Sequence, residues 1–331
     1  MSIIELDRRE VPGAARATMM LQRAHWAAEV FARYDIDRVR RILDAVVEAA
    51  EAKAEEYAQW AVDETGMGVV EHKVIKNVMC SRGLWDHYRD HDYVSPRIRH
   101  DDKILELPRP AGVIFALTPT TNPIATVYFK VLLALMTRNA IVVSPHPGAK
   151  AVCADAVRML SDAAVAAGAP DGCIQVVDEP SVPLIEALMA DQTTDVIVAT
   201  GGSAVVRAAY RSGNPALGVG PGNVPAFVDA TADIAAAAQR IVDSKAFDNS
   251  VLCTNESAVI VEEEVADALV RELGRHGAYV CSPDEVERVR EHLFPENRMR
   301  VDLVGKDATL LAEEAGLKVP ATTRVLVAPF S

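Results

Sequence analysis

Four short β-branched or apolar runs alternate with Ala-rich, helix-patterned segments between residues 113 and 199: Val113-Ile114-Phe115-Ala116-Leu117, Ala140-Ile141-Val142-Val143, Cys173-Ile174-Gln175-Val176-Val177 and Asp195-Val196-Ile197-Val198-Ala199. Unbroken hydrophobicity along a strand means that both of its faces are covered, and strands alternating with helices build a parallel α/β sheet. A sheet of this kind binds ligands beyond the carboxyl ends of its strands. The residues just after each run are therefore the ones to examine: Thr118-Pro119-Thr120-Thr121-Asn122-Pro123, Ser144-Pro145-His146-Pro147, Asp178-Glu179-Pro180-Ser181 and Thr200-Gly201-Gly202-Ser203. Each is rich in turn formers and helix caps, and each is expected to open a helix.

The flanking regions follow different periodicities. From Ala14 to about Asp92 apolar residues recur three and four apart, as in Val39, Ile42, Leu43, Val46 and Val47, which predicts a set of helices. After Asn223 a second alternation begins, with Pro225-Ala226-Phe227-Val228 as strand, Ile234 to Ala246 as helix, Ser257-Ala258-Val259-Ile260-Val261 as strand and Glu263 to His276 as helix. Arg324-Val325-Leu326-Val327-Ala328 is a further expected strand three residues from the last. The domain reading is a helical segment over 1–100, an α/β unit over 101–230 and a further unit over 231–331.

Charge and composition narrow the function. A formal charge of -13 opposes nucleic acid and anionic membrane surfaces, and 5% aromatic residues give little material for stacking on single strands. Residues 1–13 lack the apolar stretch of a secretory signal, and no run approaches a membrane span, so the chain reads as cytoplasmic. Five scattered cysteines without a CxxC pair suit neither a disulfide framework nor a zinc cluster. His87 and His91 lie four apart but lack the intervening glutamate of a His-Glu-x-x-His site, so no metal is expected.

Among the cysteines, Cys253 stands apart. It lies in Phe247-Asp248-Asn249-Ser250-Val251-Leu252-Cys253-Thr254-Asn255-Glu256, polar residues between an expected helix and strand, whereas Cys80, Cys153 and Cys173 sit in apolar patterns. Gly218-Val219-Gly220-Pro221-Gly222-Asn223 lacks the GxGxxG spacing and by itself reads as a tight turn. Thr200-Gly201-Gly202-Ser203 is either a capped helix start or a set of helix N-terminal amides facing a phosphate.

Taken in order and spacing, three segments resemble the aldehyde dehydrogenase superfamily, and within it the CoA-acylating branch that includes the aldehyde dehydrogenase half of bifunctional aldehyde-alcohol dehydrogenases. They are Pro119-Thr120-Thr121-Asn122-Pro123 with Thr137-Arg138-Asn139-Ala140-Ile141, then Ala216 to Asn223, then Phe247-Asp248-Asn249 with Cys253. The resemblance implies an α/β fold made of a Rossmann-type parallel sheet domain and a second, incomplete α/β catalytic domain. It implies Cys253 as the nucleophile that forms a thiohemiacetal and then a thioester, with its own backbone N–H and the Asn122 amide as oxyanion donors. A one-residue shift from the hydrolytic enzymes' Pro-Trp-Asn pattern leaves Thr121 as a rival to Asn122. The cofactor implied is NAD, with NADP as the alternative, held near Thr120, Thr121, Ser144, His146, Pro147, Thr200, Gly201, Gly202, Ser203 and Gly220.

Departures from the family pattern are informative. Hydrolytic relatives carry a water-activating glutamate in the glycine cluster, and the aligned position here is Val219, which cannot act as a base. An incoming thiol brings its own nucleophile, so coenzyme A is the expected acyl acceptor and oxidation of an aldehyde to the acid the lesser reading. The lysine that holds the adenine ribose in hydrolytic enzymes is absent at Ser144 and His146. Family members also continue well beyond Ala328, so the chain reads as truncated, with exposed strand edges and a compensating homo-oligomer expected. A nucleotide-binding portion without turnover is the competing reading from another class.

Overall fold

The computed structural model describes residues 13–330. The expectation for residues 1–13 lies, except for Gly13, outside the described residues. The chain divides into two compact units, residues 1–64 with 74–220 and residues 65–73 with 221–331.

The first unit opens with helices α1 (Ala14–Phe31), α2 (Ile36–Ala52) and α3 (Ala54–Thr65), of which the last residue already belongs to the second unit. Asp35 starts α2 by accepting a hydrogen bond from the Arg38 amide at 2.9 Å, and Val39, Ile42, Leu43, Val46 and Val47 form its buried stripe. Helix α4 (Val70–Val78) begins in the second unit and continues from Val74 in the first, followed there by a π-helical turn at Met79–Gly83, α5 (Leu84–Tyr88), and the antiparallel pair β1 (Arg97–Arg99) and β2 (Ile104–Glu106).

The sheet is built from β3 (Val113–Thr118), β4 (Ala140–Pro145), β5 (Ile174–Val176), β6 (Val196–Thr200) and β7 (Ala216–Val219), all parallel, in the order β5-β4-β3-β6-β7. The connecting helices are α6 (Pro123–Met136), α7 (Lys150–Ala166), α8 (Val182–Ala190) and α9 (Ser203–Arg211). Helices α6 and α7 pack together and carry α2, while α1 packs on α8 and along β3, β4 and β5. Every residue of β4 is buried, as its continuous hydrophobicity requires, whereas β7 alternates in exposure as an edge strand does. The helical segment expected over 1–100 is thus not set apart, because α1 and α2 share one core with the sheet.

The second unit holds two parallel strand pairs, β8 (Val224–Val228) with β9 (Glu256–Val261) and β10 (Ala278–Val280) with β11 (Val325–Val327). Its helices are α10 (Ile234–Ala246), α11 (Glu263–Arg275), α12 (Pro283–Leu293) and α13 (Ala308–Glu314). One small core gathers Val228, Ala238, Val242, Leu269 and Leu273, and another Cys281, Ala312, Ala315 and Leu317. The chain changes unit after Gly220 rather than at 230, so β8 belongs with the thiol-bearing segment.

Phe115 is fully buried in β3, the central strand of the larger sheet. Phe115→Ala is expected to cost about 3–5 kcal/mol, seen as a lower urea midpoint for the unfolding of this unit.

Candidate active site

In the first unit, strand order brings together segments that are distant in sequence. Strands β3 and β6 are neighbours, yet β3 leads to β4 on one side and β6 to β7 on the other. Their carboxyl ends therefore form the switch point at which such sheets bind ligands. Thr118 ends β3 and is followed by the loop through Asn122, and Thr200 ends β6 and is followed by Gly201 and Gly202. Beside them the His146 amide donates to Thr118 O at 3.1 Å, and the Gly201 amide to Val219 O at 3.1 Å. Residues 118–122, 144–147, 200–203 and 219–220 thus share one edge of the sheet.

Two helices at that edge differ at their N-termini. The amides of Ala151 and Val152, in the first turn of α7, donate to the Glu64 carboxylate at 2.9 and 2.8 Å. That turn already holds an anion of the protein's own. Helix α9 starts behind Gly202 without a side-chain cap, and a Cβ built at Gly202 would meet nothing within 4 Å. A dinucleotide pyrophosphate fits that second N-terminus, where amides and helix dipole favour negative charge. Ser144 Oγ, at the end of β4, is buried without a hydrogen-bond partner, and the exposed His146 accepts from the Gly148 amide through Nδ1 at 3.1 Å.

Beneath the switch point lies Lys130, which no motif announced. Its Nζ donates to Leu117 O at 2.6 Å and Val198 O at 2.8 Å, tying α6 to both β3 and β6. Burial pulls its pKa down to about 7. Asn122 occupies the N-cap position of α6, yet its side chain makes no cap bond. Instead Oδ1 accepts a hydrogen bond from Lys76 Nζ, and Nδ2 donates to Thr121 Oγ1 at 3.2 Å.

In the second unit, Cys253 is exposed on the segment between α10 and β9. The chain leaves α10 through three successive left-handed residues, Asp248, Asn249 and Ser250, with φ of 51°, 50° and 62°. Each such residue without a glycine's freedom costs about 1–2 kcal/mol, and Asp and Asn tolerate the conformation best. The Phe247-Asp248-Asn249 pattern has this local cause.

Tertiary contacts hold the turn. Asp248 is fully buried and accepts from the Val69 amide through Oδ1 at 2.7 Å, while Oδ2 pairs with the buried Lys73 ammonium at 3.2 Å. The Asp248 amide donates to His72 Nδ1 at 2.8 Å, and the His72 ring stacks on Phe247 with centroids 4.5 Å apart. Asn249 Nδ2 donates to Gly305 O at 3.0 Å. Gly68 has φ +83°, and a Cβ there would lie 2.2 Å from Asp248 Oδ1, so glycine is required on both counts.

Downstream, the buried Asn255 donates through Nδ2 to Ser244 O and, at 3.2 Å, to Phe247 O, which closes the segment that carries the thiol. The glycine cluster approaches it too, since a Cβ at Gly222 would stand 2.6 Å from Cys253 O. The other four cysteines differ from Cys253: Cys153, Cys173 and Cys281 are buried and Cys80 is partly so, and burial raises all four thiol pKa values, that of Cys153 and Cys173 to about 12. Cys281 therefore reads as core. Among the described residues no group of three or more His, Cys, Asp and Glu side chains is placed to hold a metal ion.

The model of the aldehyde dehydrogenase family matches residues 9–281. The chain belongs to the aldehyde dehydrogenase family. The bifunctional aldehyde-alcohol dehydrogenase AdhE of Escherichia coli (strain K12) is 39% identical over 319 residues, covering 96% of this chain and 36% of that protein. Among solved structures, an acetylating aldehyde dehydrogenase from Geobacillus thermoglucosidasius superposes with a TM-score of 0.91 at 37% identity, over 96% of this chain and 70% of that one. A propionaldehyde dehydrogenase from Rhodopseudomonas palustris, solved with bound propionyl-CoA, gives a TM-score of 0.85 at 31% identity, over 94% and 70%. The chain thus spans about a third of the bifunctional relative's length.

Lys73, His72, Lys76 and Lys130 were invisible to motif reasoning, as each acts through a fold contact. Lys73→Met would leave the Asp248 carboxylate buried without its cation, at an expected cost of about 3–5 kcal/mol. Pairing it with Asp248→Asn is expected to restore much of that loss. Urea denaturation of the single and double variants measures the coupling, and additive losses would contradict a functional pair.

Proposed function

We propose that this chain carries the thiol and the nucleotide-binding half of a CoA-acylating aldehyde dehydrogenase, which converts an aldehyde, CoA and NAD+ to acyl-CoA and NADH. The observation that carries the reading is the exposed Cys253 on a segment anchored at both ends, in a family whose acylating members include a structure with bound propionyl-CoA.

The Cys253 thiolate attacks the aldehyde carbonyl, a C–S bond forms and the carbonyl π electrons move to oxygen. The Cys253 backbone N–H and the Asn122 amide, or Thr121 in its place, donate to that oxyanion. A bound nicotinamide would supply the hydride acceptor, and as the C=O bond re-forms Cys253 would hold the acyl group as a thioester. The thiol of CoA, losing its proton to solvent, then attacks the thioester, the Cys253 C–S bond breaks and Cys253 departs as thiolate. Val219 offers no base to water at this stage, in line with thiol rather than water as acceptor. Thr120, Thr121, Ser144, His146, Pro147, Gly220 and the α9 start at Thr200, Gly201, Gly202 and Ser203 are the proposed contacts of the dinucleotide, taken as NAD with NADP as the alternative.

Five free cysteines suit a reducing, cytoplasmic setting. Exposed Phe227 and Ile260 on β8 and β9, at 64% and 55%, favour self-association through apolar surface. Among the described residues no helix is long and apolar enough to cross a membrane.

NADH absorbance on mixing the chain with NAD+ and short aldehydes, with and without CoA, tests the reading. NADH is expected only with CoA and is expected to vanish in Cys253→Ala. NADH formed equally without CoA would favour hydrolytic oxidation, and NAD binding without any NADH would reduce the chain to a nucleotide-binding portion.

A further inference from the structure

Asn122 forgoes the bond its position invites. An asparagine at an N-cap ordinarily turns its side-chain oxygen to the amides of the first helical turn, a contact that stabilises a helix by about 1 kcal/mol. Here that bond is missing, and the Asn122 oxygen is taken by the Lys76 ammonium. Lys76 is itself buried, at 7% exposure, on the last turn of α4, and the helix changes to π geometry three residues later, at Met79–Gly83. Single-turn π-bulges inside α-helices occur frequently at functional sites.

We propose that Lys76 is the positioning residue of the oxyanion site: it fixes the Asn122 carboxamide so that the NH2 end, and not the oxygen, is presented to the reacting carbonyl. The inference rests on the reading of Asn122 as an oxyanion donor. The two ends of a carboxamide are nearly equal in shape, and nothing in an asparagine's own geometry decides which end faces a ligand. An ammonium only donates, so whichever atom faces Lys76 must be the oxygen. With the amide turned that way, its NH2 end, which donates to Thr121 Oγ1 at 3.2 Å, already faces away from Lys76 before substrate arrives. The cation also polarises the amide, which strengthens the N–H bonds as donors. A neutral residue at position 76 would do neither, and the forgone cap bond becomes available to the freed oxygen.

A double-mutant cycle on the full chain tests this with NADH formation from aldehyde and CoA as readout. Asn122→Ala is expected to lower kcat about 10²- to 10³-fold. Lys76→Met is expected to lower kcat about 10- to 100-fold, the worth of a hydrogen bond to a charged group, with KM for NAD+ and the thermal midpoint near wild type. Lys76→Arg, which still only donates, is expected to recover part of the loss. The double variant is expected to be no slower than Asn122→Ala alone. Multiplying effects, or a Lys76→Met enzyme with wild-type kcat, would overturn the positioning role. An Asn122→Ala enzyme with full activity would instead remove the oxyanion reading and the inference with it.

A measurement independent of turnover uses the side-chain amide resonances of Asn122 in ¹H–¹⁵N spectra. They are expected to move on Lys76→Met and to stay near their wild-type positions in Lys76→Arg. Resonances unmoved by Lys76→Met overturn the proposal, even for a chain that makes no NADH.

Discussion

The ion pair between Asp248 and Lys73 sets the geometry of the thiol-bearing segment. Three left-handed residues in succession do not persist on local preference, and the strain is tolerable only when surrounding contacts over-determine it. Those contacts converge on one side chain: a backbone amide and an ammonium bind the two Asp248 oxygens, while its own amide is held by His72. A buried carboxylate without these partners would be strongly unfavourable, so the pair and the turn stand or fall together. Five residues on, Cys253 reaches solvent on a chain whose entry and exit are both pinned.

The first unit solves a different problem by a related means. In a parallel sheet the crevice beyond the carboxyl ends of the strands at the switch point is where ligands bind. Lys130 ties the two strands that flank the switch by donating to a carbonyl on each. Glu64 occupies the first turn of α7, whereas α9 starts without a side-chain cap.

Much of this was legible in the amino-acid sequence. Runs such as Val113 to Leu117 predict buried parallel strands because hydrophobicity without alternation has few other meanings, and the helices that follow them begin at Pro123, Val182 and Ser203, where the turn residues end. The strand at Ala278–Val280 escaped notice because three residues carry no periodicity, and the joining of α1 and α2 to the sheet is a packing fact with no local signature. Cys253 stood out by its polar surroundings, yet the residues that hold its loop did not. Lys73 lies 175 positions from Asp248, and on a helix a lysine reads as solvated until a carboxylate is found buried against it.

Acyl transfer in the reverse sense tests the central claim most directly. The chain is mixed with a short acyl-CoA in the absence of NADH, and the cysteine-containing peptides are weighed by mass spectrometry. The account predicts one acyl group, carried by the peptide with Cys253 and absent when Cys253 is replaced by alanine. An acyl group on another cysteine, or an unmodified Cys253 in a chain that binds the acyl-CoA, would contradict it.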